Sequence, residues 1–287
     1  MQVQWFPGHM AKTRKIIQEQ LKLIDVVIEL VDARLPQSSR NPLLDEITAR
    51  KPRVIILNKE DLADDRITTL WLNTYNAQTG CKAYKINSTV QRSSVMSSLK
   101  EGLFELTREK REQRLAKGIK NQVIRTMVVG IPNVGKSTFI NNIVGKKTAK
   151  TGNKPGVTRG KQWIRLGKDL ELLDTPGILW PKFADPEVGF RLAVTGAIND
   201  DVFDLEEASL KLISYLGHEY PAILQERYKL TLKQDEVTPL QILEQMAVNR
   251  GCLLPGKTID YAKIATIFIN EFRSGKIGKI SLEKPLG

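Results

Sequence analysis

Cysteine and histidine are scarce in this chain, with two of each in 287 residues. Cys81 and Cys252 lie far apart and neither sits in a ligand cluster. That excludes a disulfide framework or a zinc site and points to a reducing cytosol. No apolar run approaches the roughly 18 residues of a spanning helix. Met1 to Met10 have no signal-peptide layout. A soluble, cytoplasmic protein with no membrane partner is the expectation. Internal repeats and low-complexity segments are missing too. Acidic residues are also short: 32 Asp and Glu face 44 Lys and Arg, a net charge of +12. The excess predicts a polyanionic partner, nucleic acid before an anionic membrane.

Against these absences stands Gly130-Ile131-Pro132-Asn133-Val134-Gly135-Lys136-Ser137-Thr138, which fits G-x-x-x-x-G-K-[ST]. An apolar strand pattern precedes it (Ile124 to Val129) and a helical one follows (Ser137 to Val144), the context a phosphate-binding loop needs. The glycines let backbone approach a phosphate. The amides of Asn133, Val134, Gly135, Lys136, Ser137 and Thr138 form an anion nest at a helix start. Lys136 brings a point charge to the β- and γ-phosphates. Ser137 offers a hydroxyl to Mg²⁺.

Apolar strands alternate with helical patterns from Ile24 to Leu173. Strands are expected at Ile24–Val31, Arg53–Leu57, Lys82–Ile86, 124–129, Gln162–Leu166 and Leu170–Leu173. Helices are expected at Met10–Leu23, after Asn41-Pro42, at Asp64–Gln78 and over one long stretch, Ser93–Lys117. This is the signature of a mostly parallel three-layer α/β sheet. From about Asp185 only helices are expected: Pro186–Val194, Leu205–Leu216, Pro221–Tyr228, Pro239–Arg250 and Tyr261–Phe272. The boundary near 180–185 divides an α/β domain (1–182) from a smaller all-α domain (183–287). Basic residues gather after Thr107 (Arg108, Lys110, Arg111, Arg114, Lys117) and in the last segment (Lys257, Lys263, Arg273, Lys276, Lys279, Lys284). Either could touch RNA.

Asn58-Lys59-Glu60-Asp61 fits N-K-x-D after a buried strand. The Asp61 carboxylate can accept from the ring N–H and exocyclic amine of guanine, donors adenine lacks there. Asp174-Thr175-Pro176-Gly177 fits D-x-x-G: Asp174 for the Mg²⁺ shell, the Gly177 amide for the γ-phosphate. Thr158 is the favoured second hydroxyl at the γ-phosphate, with Thr148 and Thr151 as rivals. The order is unusual, because N-K-x-D precedes the P-loop. A circularly permuted chain can build the same site. The γ-phosphate-sensing segment then leads straight into the helical domain, which becomes the output lever.

With these motifs, Trp5-Phe6-Pro7-Gly8-His9-Met10, Asp32-Ala33-Arg34, Pro155-Gly156-Val157-Thr158 and Ile178-Leu179-Trp180-Pro181, the chain resembles the circularly permuted GTPases of ribosome assembly over nearly its full length. Within them it looks like the bacterial ribosome biogenesis GTPase A family. The resemblance implies a GTPase acting late in maturation of the large ribosomal subunit and stimulated by it. It also implies an rRNA-binding helical domain. Off the ribosome a monomer is the expectation. Asn87-Ser88-Thr89 occupies the family's second guanine-contacting loop, where Ser-Ala-Lys is common in GTPases at large.

One further residue is missing. Ras-like enzymes place a water-orienting Gln just after D-x-x-G; here Ile178 and Leu179 follow. The resemblance offers two substitutes beside Lys136 and Thr158: Asn133 as a ligand of a potassium ion, and His9 as a proton-handling or water-orienting group. The alternatives are that Asn133 caps the loop and His9 packs beside Trp5 and Phe6. His218 reads as a surface histidine. Two functions compete: a GTP-hydrolysing assembly factor, and a GTP-gated RNA-binding scaffold with negligible hydrolysis. A tRNA-modifying GTPase lacks support, since no cofactor motif or reactive cysteine context is present.

Overall fold

The computed structural model describes residues 17–89, 93–120, 122–144, 162–174, 185–231 and 237–285. They cluster into two compact units. One holds the residues up to 174 together with 281–285. The other holds 185–280.

The first unit is a single sheet. Strands β1 (Val26–Asp32), β2 (Arg53–Asn58), β3 (Cys81–Ile86), β4 (Ile124–Gly130), β5 (Gln162–Leu166) and β6 (Leu170–Asp174) run in the order β3-β2-β1-β4-β6-β5. Neighbours are parallel except for the β5–β6 hairpin. Every residue of β1 is buried, as a central parallel strand covered on both faces must be. Among the described residues the helices of this unit are α1 (Pro42–Thr48), α2 (Asp65–Asn76), α3 (Ser93–Leu106), α4 (Arg108–Ala116) and α5 (Lys136–Val144), and residues 17–21 are helical as well. On one sheet face Val31, Ile55 and Leu57 pack with Trp71 and Tyr75 of α2, and Val27, Met127 and Leu173 pack with Ile17, Leu21 and Leu44. Tyr84, in the alternate set, lies against Gly102 of α3. Helices on both faces give the expected three layers.

β1 and β4 are neighbours, with Leu30 opposite Gly130. The chain leaves β1 toward β2 on one side and β4 toward β6 on the other. Such a reversal opens a crevice at the carboxyl ends of the strands, where ligands bind in open α/β sheets.

The expected helix 93–117 is broken. Thr107 has φ −107° and ψ 4°, and α3 ends before it. Its hydroxyl donates back to Leu103 O at 2.7 Å, a local bond that competes with helix propagation. Beyond the break, Lys110 and Arg114 hold the buried Asp25 carboxylate at 2.6 and 2.7 Å. Arg111 stacks over Phe104, 4.3 Å from the ring centroid. Arg108 pairs with Glu112 at 3.0 Å, so four of the five cations after Thr107 have a partner within the protein.

The helical unit comprises α6 (Pro186–Val194), α7 (Leu205–Glu219), α8 (Pro221–Tyr228), α9 (Pro239–Arg250) and α10 (Tyr261–Arg273). Asp185, Asp204 and Asp260 each accept from a first-turn amide, and Thr238 with Gln241 forms a capping box. Arg273, also counted as basic surface, instead binds Asp200 (2.6 and 2.9 Å) and the Ala193 and Val194 carbonyls. Residues 281–285, assigned from sequence to the helical domain, cluster with the sheet.

Candidate functional site

Gly130 ends β4 and Lys136 begins α5, so the P-loop spans the strand–helix turn at the crevice. Lys136 is buried and donates to the carbonyl oxygens of Gly130 at 3.0 Å and Ile131 at 2.8 Å. Gly130 has φ +152°, and a Cβ there would lie 2.6 Å from Leu30 O of β1. Gly135 has φ +101°, and a Cβ would collide with the side-chain amide of Asn58. Each glycine is thus required by a particular neighbour. Asn133 is exposed and left-handed at φ +57°, a region Asn tolerates better than most residues.

Asn58 joins three loops. Its Nδ2 donates to Val134 O of the P-loop at 2.7 Å. Its Oδ1 accepts from the Ser88 amide at 3.2 Å and the Ser88 hydroxyl at 2.6 Å. Asn142 of α5 donates to Ser88 O at 2.7 Å, closing the ring. The P-loop, N-K-x-D and 87–89 segments therefore meet, although the chain visits them in permuted order. Asp61 is exposed in the turn Glu60–Leu62. Asn87 Oδ1 accepts from the Thr89 amide at 2.9 Å. Val134 is buried, while Ser137 and Thr138 are half-buried on the first turn of α5.

Next to Asn58, Lys59 Nζ contacts Asp32 Oδ2 at 2.9 Å. Arg34, fully buried, grips the same carboxylate through Nε at 2.9 Å and a terminal nitrogen at 2.8 Å. Burial works to raise the Asp32 pKa, but Arg34 and Lys59 outweigh it and hold the carboxyl far below its usual range. Burial lowers Lys59, with Asp32 opposing. Because the folded pKa of Asp32 is depressed, its stabilisation is fully present above the unfolded pKa of about 4. It fades as pH falls toward the folded value. The stability gap between the protein and its Asp32→Asn variant is expected to be flat from pH 7 to 5 and to narrow below pH 4. Urea unfolding across that range measures it; a gap that widens on acidification contradicts the assignment.

His9, Thr158 and Gly177 lie outside the described residues, as do Thr148, Thr151, Ile178 and Leu179. Asp174 ends β6 opposite Val128 of β4, the P-loop strand. A hydroxyl (Ser137) and a carboxylate (Asp174) are hard oxygen donors of the kind Mg²⁺ takes alongside phosphate oxygens and water, so the residue types at this end of the sheet fit that ion. His218 is exposed beside Glu219. The roles of three residues were not legible in advance. Asn142 carries no motif signal. Asp32 and Arg34 stood out as part of a motif of the resemblance, with no indication that their partner was Lys59.

Residues 125–237 match the family described as 50S ribosome-binding GTPase. That match begins at the P-loop strand and leaves N-K-x-D upstream of it, as a permuted order requires. Ribosome biogenesis GTPase A of Bacillus cereus is 50% identical over 99% of this chain and 95% of its own length. Its namesake from Priestia megaterium is 48% identical, over 99% of this chain and 98% of that protein. Among solved structures, GDP-bound YlqF of Thermotoga maritima superposes with a TM-score of 0.65 at 26% identity, covering 94% of this chain and 99% of that one. The chain is therefore a GTP-hydrolysing enzyme of circularly permuted P-loop fold, and it belongs to the ribosome biogenesis GTPase A family.

Proposed function

We propose that this GTPase acts on the immature large ribosomal subunit, late in its maturation, and binds rRNA through its helical unit. It works in the cytoplasm as a monomer that the subunit recruits and stimulates. The observation that carries the nucleotide half is the Asn58 tie, which brings phosphate- and base-binding loops into one crevice. Support for the ribosomal half comes from the relatives' names and from the net charge of +12.

In this reading Asp61 reads guanine, helped by Asn87 and Ser88. The amides of Asn133, Val134, Gly135, Lys136, Ser137 and Thr138 cradle the phosphates. Gly177 and Thr158 sense the γ-phosphate, and Ser137, Thr158 and Asp174 hold Mg²⁺, which neutralises phosphate charge when bound. Lys136 stabilises charge on the β–γ oxygens. His9 orients the attacking water, and Asn133 helps hold a potassium ion in place of an arginine finger.

The test is GTP hydrolysis with and without large-subunit particles, in potassium or sodium buffer, for the protein and His9→Ala. Expected are a slow basal rate, stimulation by particles that needs potassium, and loss of about 10²-fold or more of the stimulated rate in His9→Ala with GTP binding retained. A wild-type rate indifferent to particles would overturn the ribosomal reading. Stimulation surviving in His9→Ala would assign His9 to packing.

A further inference from the structure

Two buried charges, Asp32 and Arg34, lie beside the base-reading loop and have no part in the scheme above; they meet the half-buried Lys59 of N-K-x-D. We propose that the Asp32 carboxylate is a positioning residue for guanine recognition, acting through Lys59 on the placement of Asp61. The inference rests on the reading of Asp61 as the guanine acceptor.

Lys59 is a non-glycine residue in the left-handed region, φ +61°, a conformation that costs roughly 1–2 kcal/mol and persists only when its surroundings impose it. Asn58 fixes the loop on one side. On the other, Lys59 Nζ is drawn 2.9 Å from Asp32 Oδ2. The carboxylate cannot turn away, because Arg34 clamps both its oxygens and the Arg34 amide adds a 3.1 Å bond to Oδ1. Asp61 sits two residues beyond Lys59, so the Lys59 backbone sets the direction from which its carboxylate meets the base.

Residues 281–283 brace the arrangement at both ends. Leu282 donates to Arg34 O at 2.7 Å. Ser281 Oγ accepts from the Asp64 amide at 3.2 Å, just past the Glu60–Leu62 turn. The Glu283 carboxylate accepts from the amides of Gln37 and Ser38 and from the Ser38 hydroxyl at 2.6 Å. The Trp71 indole donates to Glu283 O at 3.2 Å. The segment before the base loop and the segment after it are thus fastened to one strap.

A bidentate acceptor is sensitive to angle, so misplacing Asp61 should cost its second hydrogen bond before its first. The readout is the affinity ratio of GTP to inosine triphosphate, which lacks the exocyclic amine but keeps the ring N–H and every phosphate. The protein is expected to favour GTP by about 10–100-fold, the worth of one charge-assisted hydrogen bond. Asp32→Asn should bring the ratio to within about 3-fold while inosine triphosphate still binds. In a Lys59→Met background Asp32→Asn should change the ratio no further, since the effect travels through Lys59. Asp25→Asn removes a buried ion-paired carboxylate at the opposite end of β1. It should lower stability and leave the ratio intact. If Asp32→Asn does not fold, Arg34→Lys carries the test: it keeps the charge, loses the forked clamp and should also narrow the ratio. An unchanged ratio in a folded Asp32→Asn or Arg34→Lys overturns the inference. A wild-type protein that does not distinguish the two nucleotides would overturn the Asp61 reading itself, and this inference with it.

Discussion

Gly135→Ala is expected to lower affinity for GTP and GDP by about 100-fold without unfolding the sheet. Two costs combine. At φ +101° an alanine is forced into a region L side chains rarely adopt, a strain of order 1–3 kcal/mol. Its Cβ also collides with the Asn58 amide, so either the loop relaxes or Asn58 leaves Val134 O and Ser88. A buried polar group left unpaired adds about 1–3 kcal/mol. A total near 3 kcal/mol corresponds to about 100-fold in binding. The loop can escape the clash by moving, which is why the loss appears in nucleotide affinity more than in global stability. Titration with a fluorescent GDP analogue measures it, and an affinity within about 3-fold of the parent would show that Asn58 and the P-loop are not coupled as described.

Glu271→Ala is expected to loosen the helical unit by about 2–3 kcal/mol. Glu271, on α10, takes both forks of Arg227 at 2.6 and 3.0 Å, the buried Tyr228 hydroxyl at 2.8 Å and Arg250 at 3.3 Å. Burial works to raise its pKa, but Arg227, Tyr228 and Arg250 hold it below the usual range. One carboxylate therefore fastens α8 and α9 to α10. Its removal leaves the Tyr228 hydroxyl without that acceptor beside Phe268, 5.8 Å between ring centroids. Both arginines keep about a third of their side-chain surface in water, so their loss is partly recovered by hydration, and the figure stays below the full cost of breaking a wholly buried pair. Because the chain has two units, global unfolding need not be two-state. Amide exchange in α8–α10 is the suitable measurement, with protection expected to fall about 30–150-fold while β1 and β2 are unaffected. Uniform loss across both units would contradict a local role for Glu271.

Much of the fold was legible because its signals are local. The Asn41-Pro42 start lies at the first residues of the helix it begins, where Asn41 accepts from the Leu43 amide. The run at 54–57 is wholly apolar and that at 26–31 is apolar but for Glu29, too apolar to face water. The phosphate and guanine motifs were readable because close backbone approach to phosphate demands glycine and base selection demands a carboxylate at fixed spacing. The break at Thr107 was not readable. Thr107 bonds back within its own turn, while the segment beyond it is held by Asp25, which Lys110 and Arg114 reach across more than 80 residues. Nor was it readable which of the basic residues pair within the protein: composition counts charges without revealing that Lys110 and Arg114 meet Asp25 and that Arg273 meets Asp200.

The sequence by itself determined the strand–loop–helix at the P-loop, the order of the motifs and the positive charge. Each follows from local stereochemistry or from composition. Only the tertiary structure decided that Asn58 ties the P-loop to Ser88, that Asp32 answers Lys59 rather than water, and that residues 281–283 return to the sheet. Those pairings join residues from 27 to nearly 250 positions apart. A hydrogen bond between such partners is fixed by the register of neighbouring strands, which brings Asp32 opposite Asn58 and Leu30 opposite Gly130. No periodicity along the chain encodes that register, because it arises only when the sheet assembles.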